Sequence, residues 1–226
     1  MTLKFVLRLL ILMVGLPTLA GCDSAPSETA SSAVTSPGIE RRAIVCMGDS
    51  LTAGYGVEEN QAYPALLGAR LQADGHAYEV INAGVSGETS SGALARLDWM
   101  LTLDPDIVIL ETGANDGLRG VDPALTRKNI DAIVTRLKAE DIVVVLAGMQ
   151  MVRNLGPAFT KSFAAIYPEV AAAHDLILIP FFLEGVAGRA SLNQSDGIHP
   201  TAEGYRIITA NLYPYALEAI QRRQAR

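Results

Sequence analysis

The sequence predicts an α/β protein built on a doubly wound parallel sheet of five strands with helices on both faces. Two observations predict this fold class. From residue 42 onward, short β-rich runs alternate with longer helical segments. The short runs are almost continuously apolar, which is typical of parallel strands that are buried on both faces. Strand–helix alternation implies right-handed crossovers, and these place helices on both sides of the sheet in a flavodoxin-like arrangement.

Each element follows from its own stretch of sequence. The predicted strands are residues 43–47, 78–82, 106–111, 142–147 and 176–179. The predicted helices lie near residues 61–74, 91–102, 123–139, 158–173 and 202–223. The third helix has the clearest start, because Asp122 is suited to the N-cap and Pro123 to the first helical position. Its apolar residues recur at helical spacing and define one buried face: Ile130, Ile133, Val134 and Leu137.

The first 21 residues read as a targeting segment. Two basic side chains, Lys4 and Arg8, precede an apolar run that is too short and too interrupted by Pro and Gly for a good membrane span. The following LAGC, residues 19–22, resembles the bacterial lipobox, which implies that Cys22 is acylated and becomes the mature N-terminus. An ordinary signal peptide or a weak anchor helix is the alternative interpretation.

The predicted organisation is therefore a lipoprotein signal peptide at 1–21, a lipidated cysteine with a flexible tether at 22–40, and one folded domain at 41–226. The tether is rich in Ser, Ala, Thr and Pro. We expect an exported protein held by its lipid at the periplasmic face of a bacterial envelope. Asp23 weakly favours the inner membrane.

Charge and composition exclude several classes of partner. The formal net charge is −6, whereas a nucleic-acid partner requires a cationic face. The three histidines, His76, His174 and His199, lie far apart in sequence, and no zinc-like Cys/His spacing occurs. We expect no metal and no cofactor. Cys46 lies in a predicted strand and is expected to be a buried core thiol, with a cysteine nucleophile as the weaker alternative.

Polar, Gly-rich segments follow several of the predicted strands. These segments are GDSLTAGYG at 48–56, AGVSGETSSG at 83–92, TGANDGLRG at 112–120 and SDGIHPTAEG at 195–204. Ligands of doubly wound sheets bind beyond the carboxyl ends of the strands. We therefore expect these four segments to meet around one site.

Ser50 is the candidate nucleophile of that site. It ends the first strand, at a tight strand-to-helix turn with small neighbours, as a nucleophile for acyl transfer requires. The alternative is a serine that merely caps the following helix. His199 is the candidate base, because His76 and His174 fall at the opposite end of the predicted sheet.

Asp196 is the candidate that orients the base. It precedes His199 by three residues, so one turn can hold both side chains. Asp49, Asp116 and Glu111 are rivals for this role. We expect Asp49 and Asp116 to brace loops instead. Glu111 ends an apolar strand, and we expect it to form an ion pair, with Arg96 or Arg119 as its partner.

Acyl hydrolysis also requires hydrogen-bond donors for the developing oxyanion. Gly87 offers a backbone N–H without a side chain, Asn115 offers a side-chain amide, and the N–H of Ser50 is a third candidate. Ordinary turn glycine and turn asparagine remain the alternatives for the first two residues.

The ordered set GDSLTAGYG, SGETS, GANDGLRG and DGIHP resembles the GDSL or SGNH hydrolase family, over about residues 43–215. The match is strongest for the subgroup of thioesterase I, lysophospholipase L1 and arylesterases. The resemblance implies the SGNH hydrolase fold and a metal-free, cofactor-free reaction with the residue roles given above. One departure is Ala114, where many relatives have Gly.

The segment 149–160 corresponds to a substrate-facing loop in that family. Four of its residues are candidates for lining an acyl groove: Met149, Met151, Leu155 and Phe159. Simple core packing is the equal alternative.

The sequence thus predicts a serine esterase acting on acyl esters or thioesters, of the lysophospholipase, arylesterase or acyl thioesterase type. An exported enzyme does not meet cytosolic acyl-CoA, so lysophospholipids, short fatty esters or aryl esters are the favoured substrates. Two alternatives stay open: an O-acetyl esterase acting on carbohydrate or cell wall, and a non-catalytic lipid-binding lipoprotein.

Overall fold

The computed structural model describes residues 42–151 and 155–226, which contain a five-stranded parallel sheet in the order β2-β1-β3-β4-β5. The strands are β1 (Ala43–Gly48), β2 (Glu79–Gly84), β3 (Ile107–Glu111), β4 (Val143–Ala147) and β5 (Ile177–Ile179). Every strand pair is parallel. The predicted flavodoxin-like fold class is confirmed, because this strand order reverses at β1 and β3, where such sheets form their ligand crevice.

Eight α-helices connect and cover the strands in the described part of the chain. They are α1 (Ser50–Ala53), α2 (Tyr63–Ala73), α3 (Ser90–Ala95), α4 (Leu97–Leu101), α5 (Ala114–Leu118), α6 (Pro123–Ala139), α7 (Pro157–His174) and α8 (Ala202–Gln224). The helix predicted at 91–102 is broken at Arg96, whose φ of −101° and ψ of 10° leave the helical region. Its guanidinium reaches back to the Glu88 carboxylate, with 2.6 Å between Nε and Oε1.

The core lies in two layers on either side of the sheet. Helices α2 and α8 pack on one face, and α3, α6 and α7 pack together on the other. All residues of the inner strands β1, β3 and β4 are buried. This explains their unbroken apolar runs, since burial of each Val, Leu or Ile side chain stabilises the fold by about 1.5–3 kcal/mol.

Helix α6 begins as its sequence predicts. The Asp122 side chain accepts a hydrogen bond from the Ala124 N–H at 2.9 Å, and Pro123 occupies the first helical position. The apolar face that the spacing predicts is fully buried against the sheet and α7. The sequence therefore determined both the start and the orientation of this helix.

Several predictions concern residues that the structure does not describe. The signal peptide at 1–21, Cys22 and the tether at 22–40 all lie outside the described residues. Within the described ranges, no helix combines the length and apolar character needed to cross a membrane.

Candidate active site

A cavity of about 180 Å³ lies at the carboxyl ends of the central strands. The loops after β1, β2 and β3 contribute to its wall, together with the loop that precedes α8. Its lining residues are Asp49, Ser50, Leu51, Tyr55, Ser86, Gly87, Ala114, Asn115, Leu118, Ile198 and His199. The four polar segments of the sequence therefore meet at one place in the fold.

Ser50 is the first residue of α1, directly after the β1 turn. Asp49 caps this short helix, because its Oδ1 accepts a hydrogen bond from the Leu51 N–H at 2.9 Å. The turn is tightly packed against the end of β2. A side chain at Gly84 would place its Cβ 2.2 Å from the Ala53 nitrogen, so only glycine permits this approach. The serine is held in one place by backbone packing.

The Ser50 hydroxyl, the His199 ring and the Asp196 carboxylate form a continuous hydrogen-bonded chain. Ser50 Oγ lies 2.9 Å from His199 Nε2, and His199 Nδ1 lies 2.7 Å from Asp196 Oδ2. A carboxylate only accepts hydrogen bonds, so it fixes the imidazole proton on Nδ1. The lone pair of Nε2 therefore faces the serine hydroxyl.

Asp196 is kept ionised by its own turn. Its Oδ1 accepts hydrogen bonds from the N–H groups of His199 at 3.0 Å and Ile198 at 2.9 Å. The backbone N–H of His199 contributes most, followed by the His199 ring and the Ile198 N–H, and together they lower the pKa of Asp196 to about 2. A negative charge is thus maintained beside the imidazole across the neutral pH range.

Gln194 connects the loop that carries the base to the loop that follows the nucleophile. Its Nε2 donates to the Tyr55 carbonyl at 2.7 Å and to the Pro200 carbonyl at 3.0 Å. Gly56 permits this contact, since a Cβ there would lie 2.1 Å from the Gln194 amide oxygen. The Tyr55 ring also packs on the His199 ring, with 4.6 Å between centroids. Sequence reasoning did not single out Tyr55 or Gln194: Tyr55 lies in the quoted segment 48–56, and Gln194 directly precedes the segment 195–204.

The two candidate oxyanion donors both line the cavity. Gly87 has a φ of +79°, a conformation that favours glycine, and its carbonyl accepts a hydrogen bond from Arg119 Nη2 at 2.8 Å. The Asn115 amide donates to Asp49 Oδ2 at 3.0 Å. An amide nitrogen carries two hydrogens, so the second remains available towards the cavity.

Asp116 braces the loops that carry these two donors. Its carboxylate accepts hydrogen bonds from the Ser90 N–H at 2.7 Å and the Ser90 hydroxyl at 2.5 Å. Thr126 Oγ1 adds a third contact at 3.2 Å. Asp116 is therefore a loop-bracing residue, as the sequence predicts, and it joins the loop after β3 to the start of α3.

The prediction that Glu111 pairs with Arg96 or Arg119 is wrong. Arg96 forms a two-pronged ion pair with Glu88, and Arg119 points to the Gly87 carbonyl at the surface. Glu111 is instead fully buried and accepts a hydrogen bond from Thr52 Oγ1 at 2.9 Å. Because both arginines bind other residues, the charged residue beside Glu111 is another acid, Asp49.

The candidates for an acyl groove are dispersed. Met149 is buried in the core, and Phe159 stacks on Phe163 with 6.1 Å between ring centroids. Met151 packs against Gly117, while Leu155 is 40% exposed. None of the four lines the cavity at Ser50. A contact between these side chains and an acyl chain therefore stays a prediction.

Cys46 lies inside β1 as a buried core thiol, as the sequence predicts. Burial raises the pKa of its thiol to about 12, so the reactive thiolate is not formed at neutral pH. Within residues 42–151 and 155–226, no three His, Cys, Asp or Glu side chains are grouped so as to hold a metal ion.

The sheet topology and the cavity at the strand tips define an α/β protein with a ligand site at the switch point of the sheet, and comparison with known proteins identifies it as a carboxylic ester hydrolase and gives its family. The model of the GDSL-like Lipase/Acylhydrolase family matches residues 46–207. Esterase TesA of Pseudomonas aeruginosa is 41% identical over 172 residues, covering 76% of this chain and 86% of that protein.

Two further relatives agree with this match. Thioesterase 1/protease 1/lysophospholipase L1 of Escherichia coli K12 is 38% identical over 166 residues, covering 73% of this chain and 78% of its own. The crystal structure of AlinE4, an SGNH-hydrolase family esterase, superimposes with a TM-score of 0.67 at 40% identity, covering 80% and 97% of the two chains. This chain belongs to the GDSL-like lipase/acylhydrolase family.

Proposed function

We propose that this protein is a serine esterase that hydrolyses acyl esters in two steps, with Ser50 as nucleophile, His199 as base and Asp196 as the residue that orients the base. The single observation that carries the proposal is the unbroken chain of hydrogen bonds from Ser50 Oγ to Asp196. A serine hydroxyl is a weak nucleophile at neutral pH, and an adjacent basic nitrogen activates it for attack.

In the first step, His199 Nε2 removes the proton of Ser50 as Oγ attacks the acyl carbonyl. The imidazole becomes a cation, and the ionised Asp196 stabilises it. The same nitrogen then returns the proton to the departing alcohol or thiol. Both transfers use one atom, so the imidazole needs little movement between them.

Charge develops on the carbonyl oxygen during the attack. We assign its stabilisation to the N–H groups of Ser50 and Gly87 and to the Asn115 amide. Removal of one such donor typically raises the barrier by about 2.7–4 kcal/mol. In the second step, His199 removes a proton from water as the water attacks the carbonyl of the acyl-enzyme. The bond to Ser50 Oγ then breaks, His199 returns the proton to that oxygen, and the acid is released.

We propose lysophospholipids, short fatty esters and aryl esters as substrates. The mouth of the cavity carries exposed apolar side chains, Tyr55, Leu118 and Ile198, which suit a lipid chain better than a sugar. Its volume of about 180 Å³ is small, and the Ala114 methyl is part of its wall. Relatives named esterase, thioesterase and lysophospholipase support the same substrate class.

A substrate series tests this assignment. We expect p-nitrophenyl butyrate and lysophosphatidylcholine to be hydrolysed with kcat/KM at least about 10-fold above that for acetylated polysaccharide, since each apolar contact the size of a methylene is worth about 1–3 kcal/mol. A strong preference for palmitoyl-CoA without turnover of either ester would contradict this substrate assignment. Turnover of acetylated polysaccharide alone would support the carbohydrate O-acetyl esterase instead. Absence of turnover with every ester would support a non-catalytic lipid-binding lipoprotein.

We also propose that the protein is exported and anchored through a lipid on Cys22, as the LAGC segment indicates. Metabolic labelling with palmitate is then expected to mark the wild-type chain and not a Cys22→Ser variant, because the thiol is the group that is acylated. Label in Cys22→Ser, or no label in the wild type, would contradict the anchor.

A further inference from the structure

Two buried carboxyl groups lie in contact beneath the cavity. Glu111 is 0% exposed and Asp49 is 1% exposed, and the Asp49 N–H donates to Glu111 Oε2 at 3.2 Å, which makes the two carboxyls neighbours. Two ionised carboxylates do not share such a contact, because their repulsion adds to the cost of burying each charge. One proton must therefore reside on the pair.

The surrounding hydrogen bonds indicate which residue holds the proton. Asp49 accepts from the Leu51 N–H at 2.9 Å and from the Asn115 amide at 3.0 Å, one bond to each carboxylate oxygen. Glu111 accepts at Oε2 only, from Thr52 Oγ1 at 2.9 Å and the Asp49 N–H at 3.2 Å. No donor reaches Glu111 Oε1. That oxygen is therefore the one suited to carry the proton.

The charges around the pair agree with this assignment. Burial raises the pKa of both carboxyls, and that of Glu111 lies well above its ordinary range. His199, cationic during catalysis, faces Asp49 and favours its charge. The other titratable groups that interact with the pair are the hydroxyls of Tyr63, Tyr167 and Tyr205, which are neutral.

We propose that Glu111 is a neutral carboxylic acid that donates a hydrogen bond to the Asp49 carboxylate, and that Asp49 in turn holds the Asn115 amide towards the oxyanion. Glu111 is thus a positioning residue that touches no substrate. The buried proton lets an acidic side chain lie below the oxyanion site without adding a second negative charge there. This inference rests on the proposed oxyanion role of Asn115.

A double-mutant cycle between Glu111 and Asn115 tests the inference with p-nitrophenyl butyrate and the full chain. Asn115→Ala is expected to lower kcat by about 10²–10³-fold, and Glu111→Met by about 10–100-fold with little change in KM. Glu111→Gln keeps a neutral donor of the same shape and is expected to retain kcat within about 3-fold. In the Asn115→Ala background, Glu111→Met should cost less than about 3-fold.

The outcomes separate the two claims. Little loss of kcat in Asn115→Ala would contradict the proposed function, whereas multiplicative losses in the double variant would overturn only the role of Glu111. A Glu111→Gln variant as impaired as Glu111→Met would show that an ionised carboxylate is required. Infrared spectroscopy tests the protonation of Glu111 without use of the Glu111→Met variant. The wild-type band of a protonated carboxyl should vanish in Glu111→Gln, and its persistence would overturn the assignment.

Discussion

Replacement of Ser50 by alanine is expected to lower kcat for p-nitrophenyl butyrate by about 10⁴–10⁶-fold while the fold is retained. The loss is large because, among the described residues, it is the Ser50 hydroxyl that is hydrogen-bonded to His199 Nε2 and so activated for attack. The Cys46 thiol is buried within β1 and stays protonated. Alanine fits without strain, since Ser50 already begins a helix and its hydroxyl contacts only His199.

Ser162→Ala is the matched control, because this serine is exposed on α7 away from the cavity. Its rate should equal that of the wild type. A Ser50→Ala variant with the wild-type rate would reject Ser50 as the nucleophile, provided that the circular dichroism spectra of the three proteins coincide.

Asp196→Asn is expected to lower kcat by about 10²–10⁴-fold. Asparagine has one acceptor oxygen, so it cannot accept hydrogen bonds both from the backbone N–H groups of the turn and from His199 Nδ1. A neutral amide also cannot stabilise the imidazolium that forms during attack. The effect should fall short of the loss in Ser50→Ala, because the Asp196 side chain is 37% exposed and water partly replaces it.

Stability should change with pH in a defined direction. The pKa of Asp196 is about 2 in the folded chain, against an ordinary pKa of 3.8. A depressed pKa contributes stability that is fully present above about pH 4 and is lost as the pH falls towards 2. Asp196→Asn should therefore lack this part of the acid dependence of unfolding.

The chain contains a second Asp–His pair that serves as a control. Asp131 Oδ1 lies 2.7 Å from His174 Nε2 on the surface, the same separation as at Asp196. Asp131→Asn should leave kcat unchanged. Equal kinetic losses in the two variants would show that the effect of Asp196→Asn is not specific to the site.

The positions of the five strands and most element bounds could be predicted, because buried parallel strands are encoded locally as unbroken apolar runs. The start of helix α6 could also be predicted, because the capping residues Asp122 and Pro123 act within one turn of the chain. The cavity could be anticipated from the position of the polar segments after the strands. The break at Arg96 could not be predicted, because the helical spacing of Leu94, Leu97 and Leu101 continues through it.

The environment of Glu111 shows the other limit of sequence reasoning. A carboxyl at the end of an apolar strand suggests an ion pair, and two arginines lie at plausible positions in the sequence. Which charge is nearest depends on how the loops pack, and here the nearest group is another carboxyl. The bridge from Gln194 to Tyr55 joins residues 139 positions apart and has no local signal.

The most direct test of the central claim is the identity of the residue that becomes covalently modified. The wild-type chain should react with one equivalent of a p-nitrophenyl alkylphosphonate, lose its esterase activity in proportion, and carry the added mass on the peptide that contains Ser50. Ser50→Ala should remain unlabelled under the same conditions. Full inhibition with the added mass on any other residue would contradict the account of the site given above.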